Sequence, residues 1–228
     1  MTPHAIVSYD DTENDRDALM LGRILRDAGA RLTLAYVRHA VHRCPDDEEF
    51  SHHEAHALLE RGAGRLGEPD LPRRVVVNAS TSEGLAWLAA AEPADVIVFG
   101  SDYRTPRGRV SAGRSAQSLL EGGPSALALA PAEYAATTAP VIRTIGVLRG
   151  TADEGAIETA FSLADRLDAT VVDRDRAIDL LIVGSRPEAC AGRVMLTSHA
   201  ANAIEEATSP VLIVARGVPL HFETLVTA

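Results

Sequence analysis

The chain has no lysine, and all 22 of its basic residues are arginines. This excludes a Schiff-base enzyme and a phosphate loop of the Walker type, because both need a lysine amine. Acidic residues outnumber basic ones and give a net charge of −10, so no basic field attracts nucleic acid or an anionic membrane. The composition therefore predicts neither a nucleic-acid partner nor a membrane partner.

Cysteines and long apolar runs are also scarce. The only two cysteines, Cys44 and Cys190, lie far apart, which suits a reducing compartment better than a disulfide framework. No apolar run approaches the ~18 residues of a membrane span. The first residues, MTPH, lead directly into a strand pattern without the features of a signal peptide. We therefore expect an acidic cytoplasmic protein.

Strand-like and helix-like segments alternate along the chain, and hydrophobic residues make up 46% of it. This alternation predicts an α/β fold, with an open parallel sheet and helices on both faces. Trp87 lies on an apolar helix pattern with Leu85 and Leu88 and is expected in the core. In the first part of the chain, strands are predicted at 4–9, 31–37, 74–80, 95–101 and 126–130, and helices at 16–30, 46–66, 82–94 and from about 115.

The pattern then starts again, which indicates an internal duplication. Ile6 corresponds to Ile145 and Gly100 to Gly184, at offsets of 139 and 84, so the second copy lacks 55 residues. The missing residues run from the second strand through the third helix. This predicts a complete domain at 1–131, a linker at 132–140 and a truncated second domain at 141–228. A homodimer of the whole chain remains open.

The stretch GSDYRTPRGRVSAGRS (100–115) carries a family resemblance. Gly100, Tyr103 and Gly113 have the spacing of the Gly-x2-Gly-x9-Gly-Ser/Thr motif of universal stress proteins, which binds the ribose and phosphates of ATP. The resemblance spans nearly the whole chain and implies that family's fold, with an adenine nucleotide such as ATP as the ligand. It further implies that Asp10 contacts adenine, that Thr12 in the same turn belongs to the binding site, and that the backbone of Val37 faces the base. Final strands commonly pair across a two-fold axis in that family, so the resemblance also implies that ALALA and VLIVA pair antiparallel in an internal pseudo-dimer.

Two positions depart from that motif. Tyr103 replaces the middle glycine, where its ring either obstructs the phosphates or stacks beside a base. Arg114 replaces the hydroxyl residue, and Ser115 follows one position later. Four arginines of the loop are either solvated or contact phosphate through their guanidinium groups. In the second copy Pro187, Thr197 and Arg149 replace motif residues, so any nucleotide is expected in the first copy.

The sequence also bears on a metal site and on a catalytic site. The segment 39–56 gathers metal-capable side chains, among them His52 and His56 at i, i+4 spacing, but a solvated helix face is the better interpretation and no metal is predicted. No Ser-His-Asp arrangement or Gly-x-Ser-x-Gly elbow is present, so no catalytic residue is predicted.

The predicted function is a non-enzymatic, stress-associated regulatory protein that binds ATP weakly. The alternatives are a structural or protein-interaction form without a nucleotide site and a histidine-rich metal-binding module. The metal-capable side chains of segment 39–56, on which this last alternative rests, are His39, His42, Cys44, His52, His53 and His56.

Overall fold

The computed structural model describes residues 2–39, 45–136, 140–148, 154–173 and 177–222, with only the backbone described at 45–51 and 173. The strands are β1 (His4–Ser8), β2 (Arg31–His39), β3 (Arg73–Asn78), β4 (Val96–Gly100), β5 (Ala126–Ala130), β6 (Thr144–Val147), β7 (Thr170–Asp173), β8 (Leu180–Gly184) and β9 (Val211–Val214). The helices are α1 (Glu13–Asp27), α2 (Pro45–Leu66), α3 (Thr81–Ala91), α4 (Arg114–Leu120), α5 (Glu154–Leu167) and α6 (Ser198–Glu206), with a 3₁₀ turn at Tyr134–Ala136.

These strands form one continuous sheet in the order β3-β2-β1-β4-β5-β9-β8-β6-β7. Every neighbouring pair is parallel except β5 and β9. Helices α1, α2 and α5 cover one face of the sheet, and α3, α4 and α6 cover the other. Strand residues alternate between the two cores, so that Ala5 and Val7 face the first group and Ile6 faces the second. The predicted α/β fold is therefore confirmed. None of the helices in the described ranges is long and apolar enough to cross a membrane.

The two copies meet where β5 pairs antiparallel with β9, as predicted from their final strands. Leu127, Ala128 and Leu129 lie opposite Ile213, Leu212 and Val211. All residues of both strands are buried. The pairing turns two potential sheet edges into the centre of one sheet.

The loops after β4 and β8 cross this junction in a reciprocal way. The N–H of Val110 donates to the carbonyl of Ala207 at 3.3 Å, and the N–H of Val194 donates to the carbonyl of Gly123 at 3.0 Å. Val194 and Ala207 lie 84 positions after Val110 and Gly123, respectively, so the two contacts are related by a pseudo-two-fold axis. Each loop therefore bonds to the chain just beyond the helix end of the other copy.

A repeated triplet, Gly-Arg-Val, forms these contacts at 108–110 and 192–194. Arg109 donates to the carbonyl of Glu205 at 2.8 Å, and Arg193 donates to the carbonyl of Gly122 at 3.2 Å. Gly108 and Gly192 have φ values of 70° and 74°, in the region that favours glycine. The triplet is therefore an interface motif of the duplicated fold.

With the missing residues removed, the sequence predicts a second copy that consists of strand, helix, strand, helix and strand. The structure contains one strand more. Its extra strand, β7, lies on the opposite side of β6 from β8. Because the Ala5–Val96 pair corresponds to the Ile145–Leu180 pair, the register aligns Ile6 with Gly146. The predicted alignment of Ile6 with Ile145 is therefore wrong by one residue.

The return from β7 to β8 explains why glycine occupies position 146. In the first copy, helices α2 and α3 and strand β3 lie between the second and fourth strands, whereas only 174–179 separate β7 from β8. Ile178, at the end of this short return, packs directly over Gly146, and a Cβ there would lie 2.9 Å from its side chain. The absence of a side chain at Gly146 thus leaves room for the shortened connection.

The C-terminal segment covers α5 on the face that carries α2 in the first copy. The N–H groups of Leu220 and Phe222 donate to the hydroxyls of Thr159 and Ser162 at 2.9 and 2.8 Å. Both side chains are buried in the core of that face. The segment thus supplies apolar cover that the truncated copy otherwise lacks.

Part of the predicted linker, residues 132–136, is bonded to the first copy. The buried carboxylate of Asp17 on α1 accepts hydrogen bonds from the N–H groups of Glu133 and Ala135 at 2.9 and 2.7 Å. Burial raises the pKa of Asp17, although these two bonds favour its ionised form. The domain boundaries themselves stay a prediction, since the sheet runs through both copies.

The expectation that Trp87 lies in the core is wrong. Its side chain is 62% exposed, whereas Leu85 and Leu88 on the same helix are buried. Helix α3 contacts the sheet along one stripe that includes positions 85 and 88. Position 87 lies outside that stripe and therefore faces solvent.

We predict that Leu220→Ala lowers the free energy of unfolding by about 2–4 kcal/mol, because it removes a buried side chain from the C-terminal segment. Val218→Ala is the matched control, since Val218 lies on the same segment but is 42% exposed. It should change stability by about 0.5 kcal/mol or less. Urea unfolding measures both. Equal effects of the two substitutions would contradict a packing role for this segment.

Candidate functional site

A cleft of about 580 Å³ opens at the carboxyl ends of β1 and β4. Open α/β sheets commonly bind ligands at this edge. The cleft lies between the β1–α1 turn, the end of β4 and the start of α4. Its lining includes Ser8, Asp10, Thr12–Asp15, Thr81, Phe99–Ser101, Tyr103 and Gly113–Ala116.

Asp15 holds the β1–α1 turn in shape. One of its carboxylate oxygens accepts hydrogen bonds from the N–H of Asp10 at 3.0 Å and from both the N–H and the hydroxyl of Thr12 at 2.8 Å. Asp11, between these residues, has a φ of 64°. This left-handed conformation is tolerated better by aspartate than by most side chains. The hydroxyl of Thr12 is thus used inside the turn.

Burial, followed by the carboxyl of Asp10, raises the pKa of Asp15 to about 7, against the lowering effect of the two backbone N–H bonds. The protonated form of Asp15 is therefore well populated near neutral pH. Asp10 and Asp15 form a carboxyl pair at the mouth of the cleft.

Asp11 bonds the same turn to α2. It accepts from the hydroxyl of Tyr9 at 2.7 Å and from Arg61 and Arg65 at 2.8 and 3.1 Å. The Tyr9 hydrogen bond, followed by that of Arg61, lowers the pKa of Asp11. Burial, together with Asp11, raises the pKa of Tyr9 to about 12. Helix α2 thus fixes the position from which Asp10 faces the cleft.

The two remaining glycines of the motif have different surroundings. A Cβ at Gly100 would lie 2.1 Å from the backbone carbonyl oxygen of Asn14, so packing of β4 against α1 alone requires glycine there. At Gly113 the nearest atom, in Asp102, would be 3.8 Å away, and φ is −66°. No local packing requires glycine at 113.

The loop between them is closed by its own hydrogen bonds. The hydroxyl of Ser101 donates to the carbonyl of Ala130 at 2.7 Å and accepts from the N–H of Ser111 at 3.2 Å. In the second copy, the hydroxyl of Ser185 donates to the carbonyl of Val214 at 2.8 Å in the same way. The loop therefore keeps this shape where the motif glycines are replaced.

Three of the four loop arginines are directed elsewhere. Arg104 lies over the ring of Tyr103, 4.9 Å from its centroid, Arg107 pairs with Glu133 at 3.3 Å, and Arg109 bonds across the interface. Of the four, Arg114 lines the cleft. The ring of Tyr103 also lines the cleft and is 73% exposed. Residues 100–115 contain four arginines and one aspartate, a net charge of +3. Most of this positive charge therefore lies outside the cleft lining.

The structure brings seven of the eight predicted site residues to one cleft and leaves one apart. Val37 is not among the lining residues, because its side chain packs beneath Gly84 of α3. Sequence reasoning missed the contributions of Glu13, Asn14 and Asp15, although these residues follow directly on the predicted turn. The seven are Asp10, Thr12, Gly100, Tyr103, Gly113, Arg114 and Ser115.

The histidine-rich segment does not converge as far as the structure describes it. The Nε2 atoms of His52 and His56 lie 3.0 Å apart, whereas His39 contacts the hydroxyl of Thr81 at 3.1 Å. Within the described ranges, no group of three or more His, Cys, Asp or Glu residues is arranged to hold a metal ion. His42 and Cys44 lie outside the described residues, as does Arg149 of the second copy.

The fold is that of the universal stress proteins. A universal stress protein from Archaeoglobus fulgidus DSM 4304 aligns with 94% of this chain and 98% of its own, at 12% identity and a TM-score of 0.68. A putative universal stress protein from Pseudomonas aeruginosa UCBPP-PA14 aligns with 93% of each chain, at 11% identity and a TM-score of 0.60. No family model and no curated protein matches this sequence.

These alignments confirm the resemblance at the level of the fold, over both copies of the chain. A further universal stress protein, solved in complex with cAMP, aligns with 43% of this chain at 22% identity and a TM-score of 0.37. That similarity is too low to relate its ligand to this chain. What the cleft binds must therefore be argued from its own residues.

We predict that the two motif glycines respond differently to alanine. Gly100→Ala should destabilise the protein by about 1–3 kcal/mol or more, because its Cβ collides with a backbone oxygen. Gly113→Ala, the matched control, should change stability by less than about 1 kcal/mol. Thermal unfolding measures both. A well-tolerated Gly100→Ala would contradict the packing explanation for that glycine.

We predict a pH-dependent stability that depends on Asp15. Its pKa is higher in the folded protein than the ~3.9 of an unfolded chain. Its stabilising contribution is therefore complete below about pH 4 and is lost as the pH rises through about 7.

Between pH 5 and pH 8, the melting temperature of the wild type should fall more steeply than that of Asp15→Asn. Asparagine keeps an oxygen acceptor for the turn and does not titrate. Both proteins contain the same histidines, so subtracting one profile of melting temperature against pH from the other cancels the contribution of the histidines. Parallel pH profiles would contradict this role of Asp15.

Proposed function

We propose that the chain is a non-enzymatic, stress-associated regulatory protein that binds an adenine nucleotide in the cleft of its first copy. One observation carries this proposal: seven residues predicted from the resemblance, five in the phosphate motif and two in the β1–α1 turn, line a single cleft at the sheet edge where α/β folds bind ligands. The resemblance to universal stress proteins implies ATP as the nucleotide.

Each part of the cleft suits a part of such a ligand. The carboxylate of Asp10 can accept a hydrogen bond from the exocyclic amine of adenine. Arg114 can pair with a phosphate oxygen, and the absent side chain of Gly113 leaves space beside it. Tyr103 offers a ring that can stack on a base.

The experiment is calorimetric titration with ATP at millimolar concentration and low salt, preceded by mass spectrometry of any ligand released from the purified protein. We expect a dissociation constant in the micromolar range or weaker. Asp10→Ala should reduce the affinity by about tenfold or more, since one charge-assisted hydrogen bond is worth about 1.5–3 kcal/mol.

Asp165→Ala is the matched control, because Asp165 is exposed on α5 of the other copy. It should leave ATP binding unchanged. Equal effects of the two substitutions would move the binding site away from the Asp10 cleft. A wild type that binds no adenine nucleotide would refute the proposal.

One observation favours a second function, a structural or protein-interaction role without a nucleotide. Gly100 is explained by packing against Asn14, and the Gly-Arg-Val triplet is explained by the contact between the copies. Most of the loop therefore has a role that needs no ligand. If no adenine nucleotide binds, this role is the one that the loop geometry supports.

A further inference from the structure

The charge of the cleft decides which adenine ligand it can hold. Three carboxyl groups line it, from Asp10, Glu13 and Asp15, and Arg114 is the one basic side chain among the lining residues. Even with Asp15 protonated, two carboxylates face one guanidinium. The cleft is therefore poorly suited to the four negative charges of ATP, because Arg114 alone cannot balance them and the neighbouring carboxylates repel them.

The other arginines of the loop do not correct this balance. Arg109 is bonded to a backbone carbonyl of the second copy, and Arg107 lines a different cleft, beside Glu133. Arg104 lies over the ring of Tyr103, 4.9 Å from its centroid. None of these three arginines is among the lining residues. Within the lining, a phosphate chain therefore has Arg114 as its basic partner and carboxyl groups as the other charged neighbours.

The same carboxyl groups suit the uncharged part of the ligand. A nucleoside presents hydrogen-bond donors, namely the exocyclic amine and the ribose hydroxyls, and carboxylates accept from such donors. Arg114 can pair with the oxygens of one phosphate. The lining therefore matches a nucleoside with at most one phosphate group.

We infer that the cleft selects adenosine or adenosine monophosphate over ATP, an inference that rests on the proposed function and names the ligand class of that same site. Each phosphate beyond the first adds charge that Arg114 alone does not neutralise. We expect AMP to bind at least as tightly as adenosine, and ATP to bind at least tenfold more weakly than AMP.

The test is calorimetric titration of the full chain with adenosine, AMP, ADP and ATP at one ionic strength, with EDTA and again with Mg²⁺. Arg114→Ala should weaken AMP binding severalfold and remove its advantage over adenosine. Arg23→Ala, an exposed arginine on α1, is the control and should leave the order unchanged. Glu13→Gln should reduce the difference in affinity between AMP and ATP, whereas Asp165→Asn should leave this difference unchanged.

The outcomes separate this inference from the proposed function. If ATP binds most tightly, with or without Mg²⁺, the inference is wrong while nucleotide binding at the cleft stands. If none of the four ligands binds, the proposed function itself is wrong. If the expected order holds but neither Arg114→Ala nor Glu13→Gln alters it, the selection does not come from the charges of this cleft and the inference is overturned.

Discussion

The antiparallel pairing of β5 with β9 is the contact on which the rest of the molecule depends. Each copy ends in a short, fully buried strand that would otherwise expose unpaired N–H and C=O groups. Pairing them builds one sheet from two copies. It also brings the loops after β4 and β8 against the opposite copy, where the Gly-Arg-Val triplets bond to opposing backbone carbonyls. A loop that resembles a phosphate motif therefore forms part of an interface.

This double role divides the motif into two parts. Gly100 packs against α1, and the middle of the loop bonds across the interface, so both are accounted for by the fold. Gly113 and Arg114 have no comparable packing role among the described contacts, and both line the cleft. Any ligand must act mainly through this last part of the motif and through Asp10. Spacing alone cannot separate the two roles, since both depend on the same loop length.

The fold could be predicted from the sequence because it rests on patterns that the chain repeats. Alternating strands and helices gave the α/β class, the duplication gave the second copy, and the resemblance to universal stress proteins implied the antiparallel junction. The register of β6 could not be predicted, since Gly146 is explained only by the return of Ile178 over it. The residues of the cleft followed from the motif, but the partners of the arginines did not, because they lie on distant segments such as the one that ends α6. The repeated Gly-Arg-Val triplet was a visible signal of the interface.

Helix α2 supports the turn beside the cleft of the first copy, and the described part of the second copy has no counterpart of this helix. In the first copy, Gly62 of α2 packs against the ring of Tyr9, and Arg61 and Arg65 bond to Asp11. These contacts set the turn that presents Asp10. The second copy replaces α2 with the C-terminal segment, which covers the core through Leu220 and Phe222. Truncation thus preserved the apolar cover that folding requires, whereas the arginine contacts to the turn beside the cleft belong to α2 of the first copy.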